Sequence, residues 1–327
     1  MKWSGLLIAA LAAAALLGPG CTHEWDSYDP RPPSGGASTG GNGGQGGDAT
    51  SSTLGSGAEG ASTNTSSSNG GEGTTGGNGG AGGSGVGGCA PADATGYRAQ
   101  VLADCPVAYF RVGEATGTST TDEVGGLVAT LTGGPVLGQP GALTSDPDTA
   151  VTLDGVNDSI CFGDMFDFGP QSFTVELWMM PSLLDNAYRR AYAKETGAGT
   201  PDRTGFLFWV RQPDPTSPQQ TAMSFEVWAT GTKVTDTPLL TPPKLATWIH
   251  LVTRADVATQ KAALFLDGVL VMEDIDAGTT VDNAGAFCWG STSTGSANFG
   301  GSLDEMAIYD HALTDARIAA HHQAARN

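Results

Sequence analysis

Between Arg31 and Gly88 the chain holds 23 Gly and 17 Ser or Thr in 58 residues, with no aromatic residue and only Arg31, Asp48, Glu59 and Glu72 as charges. A stretch of this composition has too little apolar surface to offset the entropy of ordering its backbone, so it is expected to stay unfolded. What folds must lie within 89–327, and 239 residues suits one all-β domain. Gly41, Gly43 and Gly46 match the G-x-G-x-x-G spacing of dinucleotide-binding turns, but they sit in this stretch with no strand before them and no helix after, so they read as linker glycines.

The start of the chain reads as an export signal. Met1 and Lys2 precede a twelve-residue run of Leu, Ile and Ala from Leu6 to Leu17, which is too short for a permanent membrane helix. Leu17-Gly18-Pro19-Gly20-Cys21 resembles a bacterial lipobox, with Gly18 standing where that motif usually has Leu. The expectation is a signal peptide over 1–20, lipidation at Cys21, and a 21–88 tether that carries the 89–327 domain at the bacterial cell envelope, on the outer membrane or cell surface. Gly18 and Gly20 also fit ordinary signal cleavage, which would give simple secretion.

In an oxidising compartment the other four cysteines are expected to form disulfides, and four cysteines allow three connectivities. Cys89 with Cys105 would close a short loop at the entrance to the domain, and Cys161 with Cys288 would join two strand-like segments. The formal net charge of −19 argues against a nucleic-acid partner, since an acidic protein gains nothing from counterion release on a phosphate backbone.

From Val107 onward short β-rich runs are broken by Gly, Pro, Asn and Asp, as in a sandwich. Phe173, Val175, Leu177 and Met179 alternate with Thr174, Glu176, Trp178 and Met180, which points one face at a core and leaves the other mixed. Further strands are expected at 205–212, 223–229 and 248–254. Asp267-Gly268 between apolar runs predicts a type I′ hairpin. Only the last segment reads as a helix, with Thr314 as its N-cap.

Five segments carry a family resemblance by their order: Val107-Ala-Tyr-Phe-Arg-Val-Gly-Glu114, Ala150-Val-Thr-Leu-Asp-Gly155, Ser172-Phe-Thr-Val-Glu-Leu-Trp178, Leu266-Asp-Gly268 and Gly300-Gly-Ser-Leu-Asp-Glu-Met-Ala-Ile-Tyr309. In that order they resemble the laminin G-like jelly-roll domain of the concanavalin A-like superfamily. The resemblance implies an all-β fold, a two-sheet antiparallel jelly-roll sandwich with a short C-terminal helix. It also implies a structural calcium ion held by Glu114, after the first strand, and Asp304, which opens the last one, with Asp122 a third candidate.

No catalytic residue is expected. Laminarinase-type enzymes on this fold place their carboxylates as Glu-x-Asp-x-Glu, because residues two apart on a strand share a face, and this chain has no such run. Asp304 and Glu305 are neighbours and would face opposite sides of a regular strand. His321 and His322 are adjacent on the last helix, about 100° apart around its axis, and read as surface histidines. Trp209, Trp228 and Tyr188 are available for stacking on a sugar but read equally well as core, so no ligand site is placed. The sequence points to a non-catalytic, surface-displayed module for carbohydrate recognition or adhesion. A glycoside hydrolase or lyase with an unfamiliar site, and a structural envelope protein that binds other proteins, are the alternatives.

Overall fold

The computed structural model describes residues 89–91, 93–217 and 219–327; the signal, lipidation and tether expected over 1–88, Cys21 included, lie outside the described residues. Helix α1 (Gly96–Ala103) precedes the strands β1 (Ala108–Phe110), β2 (Ser119–Thr121), β3 (Val128–Thr132), β4 (Val136–Pro140), β5 (Thr149–Asp154), β6 (Ser159–Cys161), β7 (Phe173–Pro181) and β8 (Arg189–Thr196). There follow β9 (Thr204–Val210), β10 (Met223–Ala229), β11 (Thr232–Asp236), β12 (Ile249–Asp256), β13 (Lys261–Leu266), β14 (Val269–Asp274), β15 (Phe287–Trp289), β16 (Gly300–Tyr309) and helix α2 (Asp315–Ala324).

The strands form two antiparallel sheets. The first runs β14-β13-β12-β7-β16-β5-β4 with β1 on β16, and the second runs β11-β10-β9-β8-β15-β6-β3-β2. Between them lies the main core, to which β7 contributes Phe173, Val175, Leu177 and Met179 and the second sheet contributes Tyr192, Phe206, Phe208, Phe225 and Trp289. The period-2 alternation of β7 is therefore real, and its other, mixed face is covered as well: Thr174, Glu176 and Trp178 are buried and Met180 is half-buried. Both helices cover that face. Tyr97, Val101 and Leu102 of α1 and Ile318 of α2 pack with Trp178, Val252, Phe265 and Tyr309 into a second apolar cluster.

Helix α1 is an addition to the sequence reading, which found only the last helix. It spans eight residues and Thr95 makes no side-chain cap bond, so little in its local sequence announces it; burial of Tyr97 and Val101, one turn apart, holds it. Helix α2 starts as read, with Thr314 accepting the backbone N–H of Arg317. Asp267 and Gly268 take φ of 51° and 75°, the left-handed pair a type I′ hairpin needs. The disulfides join Cys89 to Cys105 and Cys161 to Cys288, and the second links directly paired residues of β6 and β15.

Candidate functional site

Three groups of polar side chains stand out, and the first begins with a backbone irregularity. The pairing of β16 with β7 jumps from Asp304 opposite Trp178 to Ala307 opposite Glu176, and Glu305 takes φ 50° in the left-handed region. This is a β-bulge, in which one extra residue re-aims a side chain. Asp304 and Glu305 consequently do not face opposite ways: their carboxylates converge with that of Asp148, with ligand atoms all within 4.8 Å of one another. Glu305 accepts from the Tyr109 hydroxyl and, at 3.1 and 2.9 Å, from Nε and Nη2 of Arg111. Arg111 also reaches Asp146 at 2.8 Å and Asp148 at 3.1 Å. Asp304 accepts the backbone N–H of Ala142 at 2.7 Å and of Glu305 at 2.9 Å. Burial, then the charge of Asp148, pushes the Asp304 carboxyl up to about 7. Burial, then the charge of Asp304, pushes Glu305 up to about 8.

A cavity of about 280 Å³ opens beside this corner, lined by Arg111, Gly113, Glu114, Thr121, Glu123 and Asp148. Glu114 Oε2 is buried there without a hydrogen-bond donor, and Asp148 Oδ2 has only the Arg111 Nε ion pair at 3.1 Å. Of the three residues expected to hold a cation, Asp304 thus joins Asp148 and Glu305, and Glu114 shares the adjoining cavity with Asp148. Asp122 does not join them, because its two oxygens are taken up by the backbone N–H groups of Val124, Gly125 and Leu127. It closes a turn. Hard carboxylate oxygens, that of Glu114 without a donor, fit calcium's preference for oxygen ligands.

The second group lies under the helices. Glu176 is fully buried and accepts from Tyr97 at 2.8 Å, Tyr309 at 2.9 Å, His250 at 2.7 Å and His321 at 3.0 Å. The other ring nitrogen of His321 lies 2.8 Å from Asp104, which Arg317 also binds at 2.7 Å. His321 is therefore not a surface histidine; it is 0 % exposed. Burial would lower its pKa, but the charges of Glu176 and Asp104 and the hydrogen bonds to both together outweigh that and raise it to about 9. Burial would raise Glu176, and the charge of His321 with its hydrogen bonds to both histidines holds it well below the usual carboxylate range instead. These side chains are buried, and their network ties α1 and α2 to the first sheet.

The third group occupies the outer face of the second sheet, where Ala193, Leu207, Trp209 and Trp228 form an apolar patch built from strand residues alone. Glu195 of β8 and Glu226 of β10 lie among them. Glu195 accepts from Arg190 at 2.9 Å and Arg203 at 2.8 Å. Glu226 accepts the indole N–H of Trp209 at 3.0 Å and of Trp228 at 2.8 Å, and Arg203 bridges to it at 3.5 Å. Arg203 also lies 4.3 Å above the Trp228 ring. Trp209 is buried at 4 % exposure, as a core residue would be, Trp228 is half-buried, and Tyr188 is 47 % exposed. Two of the three aromatics named from sequence are therefore accessible at one face.

A family model described as the concanavalin A-like lectin/glucanases superfamily matches residues 154–319, half of the chain. No curated protein sequence matches. Among solved structures the chain is similar to the binding domain of Paraclostridial Mosquitocidal Protein 1, at 15% identity and TM-score 0.49 over 65% of this chain and 51% of that one. It is also similar to the Botulinum neurotoxin serotype G binding domain, at 8% identity and TM-score 0.47 over 67% and 50%. Domain 4 of AbnA, a GH43 extracellular arabinanase from Geobacillus stearothermophilus solved with arabinotriose, matches at 19% identity and TM-score 0.45 over 67% and 98%. The chain spans about half the length of the two toxin domains.

Proposed function

The chain belongs to the concanavalin A-like lectin/glucanases superfamily, and on that premise we propose that it is a non-catalytic binding module that recognises carbohydrate on the outer face of its second sheet. The observation that carries this reading is the combination on that face of accessible rings, Tyr188 and Trp228, with carboxylates that are already engaged. Sugar rings stack their C–H faces on aromatic side chains while fixed polar groups meet their hydroxyls. Cleaving a glycosidic bond would instead need one carboxylic acid free to protonate the leaving oxygen and a second carboxylate free to act as base or nucleophile. Arg190, Arg203 and two indoles occupy Glu195 and Glu226, which leaves neither in that position.

Calcium belongs to the same proposal as a structural ion. Asp148, Asp304 and Glu305 would hold it, with Glu114 at the adjoining cavity, and it would supply positive charge where one guanidinium faces Asp146, Asp148 and Glu305. We place the module at the bacterial cell surface on the strength of the export signal and Cys21, held to the membrane by a lipid anchor, with glycans or surface proteins as partners.

A glycan array read together with a reducing-end assay on the same polysaccharides tests the function. Saturable binding without new reducing ends is the expected result. Accumulating reducing ends would establish an enzyme, and neither binding nor cleavage, with a protein recovered by cross-linking, would establish a structural envelope role.

A further inference from the structure

The charge of this protein is unevenly placed. Residues 189–236 carry six basic and five acidic side chains, so the entire negative excess of a chain at −19 lies outside β8 to β11 and the loops between them. Five of those six basic groups have carboxylate partners: Arg189 holds Asp185, Arg190 and Arg203 hold Glu195, Lys194 holds Asp164 and Asp167, and Lys233 holds Asp236. The sixth, Arg211, has none among the described residues.

Arg211 is nevertheless fixed in place. The register that sets Arg189 opposite Val210 brings Tyr188 across from Arg211 at the end of the β8–β9 pair. The guanidinium lies 4.4 Å above the Tyr188 ring and 5.7 Å from that of Trp209, and its Nε donates to the Thr221 carbonyl at 2.8 Å. Tyr188 meets Trp209 edge-on at 4.7 Å between centroids. Asp185, a loop acid before β8, is occupied by two bonds from Arg189, at 3.0 and 2.6 Å, and one from Ala187. Arg203 makes the comparison plain. It stacks on Trp228 in the same way, but its charge is met by Glu195 and Glu226. Arg211 has the stack and the backbone anchor, and no counter-charge among the described residues.

We propose that Tyr188 and Arg211 form a subsite for the carboxylate of an acidic sugar, so that the ligand of this module is a uronate-containing polysaccharide. This rests on the carbohydrate-binding reading above and narrows it. A planar guanidinium held on an aromatic face is pre-organised to donate two parallel N–H bonds to a carboxylate, and the exposed Tyr188 ring beside it offers a surface for the pyranose. The acidity of the rest of the protein does not forbid this, because its charges are screened over roughly 8 Å at physiological salt while the subsite acts at contact. A guanidinium without a carboxylate partner among the described residues also favours anionic ligands over the surface around it.

The test is calorimetric titration of the full chain with polygalacturonate, alginate and hyaluronate, with the carboxyl-reduced form of each, and with neutral polysaccharides. The expected result is that at least one acidic polymer binds, that carboxyl reduction weakens it about tenfold or more, and that Arg211→Ala does the same while Arg211→Lys loses part of the affinity. Tyr188→Ala weakens both the acidic and the reduced forms. Arg211→Gln keeps a polar planar group and serves in place of the alanine variant if that one fails to fold, as judged by its melting curve. Equal binding of acidic and reduced polymers, or undiminished binding by a folded Arg211 variant, overturns the subsite. Binding to neutral polysaccharides alone overturns the subsite and leaves the carbohydrate reading standing, whereas binding to no polysaccharide overturns both.

Discussion

At the scale of the residue, His321 decides how pH acts on the protein. Its folded pKa, near 9, lies above the ordinary value of 6.5, so the native state holds the proton more tightly than the unfolded chain does. A raised histidine contributes stability that is complete below the unfolded value and is lost as pH rises through the folded one. The melting temperature should therefore fall between about pH 7 and 9.5 more steeply in the wild type than in His321→Gln, and parallel curves would contradict the network described here. Asp304 and Glu305, with folded values of about 7 and 8 when no cation is bound, act in the same direction, so the comparison with the variant is what isolates His321. Glu176→Gln should cost about 3–5 kcal/mol in urea unfolding, since it leaves a buried, charged His321 short of its main partner; a cost below about 1 kcal/mol would show that Asp104 suffices. None of this was legible in the sequence. His321 reads as exposed because its own helix is polar on average, and only the docking of α2 on β7 reveals that Glu176, standing alone in an apolar strand, was waiting for a cation. Arg211 escaped notice for a related reason, as its importance depends on which carboxylates lie near it.

At the scale of the element, the bulge in β16 governs the acidic corner. The sequence reading took β16 as regular and so separated Asp304 from Glu305; an extra residue with positive φ at Glu305 brings them together. Strand pattern alone rarely shows a bulge without a glycine to mark it. By contrast β7, β10, β12 and the β13–β14 hairpin were legible, because period-2 alternation and the Asp-Gly turn are local signals. If the corner holds calcium, adding it should raise the melting temperature, chelator should lower it, and Asp304→Asn should remove the difference, by mass action on the folded state. Melting curves unchanged by calcium or chelator would remove the ion from the account. The helices make a separate prediction. Ile318→Ala empties part of the cluster between α2 and the first sheet, where Ile318 is 0 % exposed, and should destabilise the domain by about 2–5 kcal/mol in denaturant titration. An unchanged midpoint would mean that α2 is held by the polar network alone.

At the scale of the whole molecule, the described residues begin at Cys89 and the first strand at Ala108, while the tether that composition suggests over 21–88 lies outside the described residues. The anchoring proposal is tested by mass spectrometry of the native protein: an N-terminal Cys21 bearing acyl chains in the membrane fraction is the expected result, and an unmodified N-terminus on a protein that stays soluble would refute it. The central claim is that the outer face of the second sheet binds carbohydrate and does not cut it. Hydrogen exchange of the full chain with and without a saturating glycan from the array, with reducing ends assayed in the same samples, tests it most directly. The account predicts slowed exchange at 188–190, 203–211 and 223–233 with no new reducing ends. Protection confined to the helices or to the Arg111 corner, or reducing ends that accumulate with time, would contradict it.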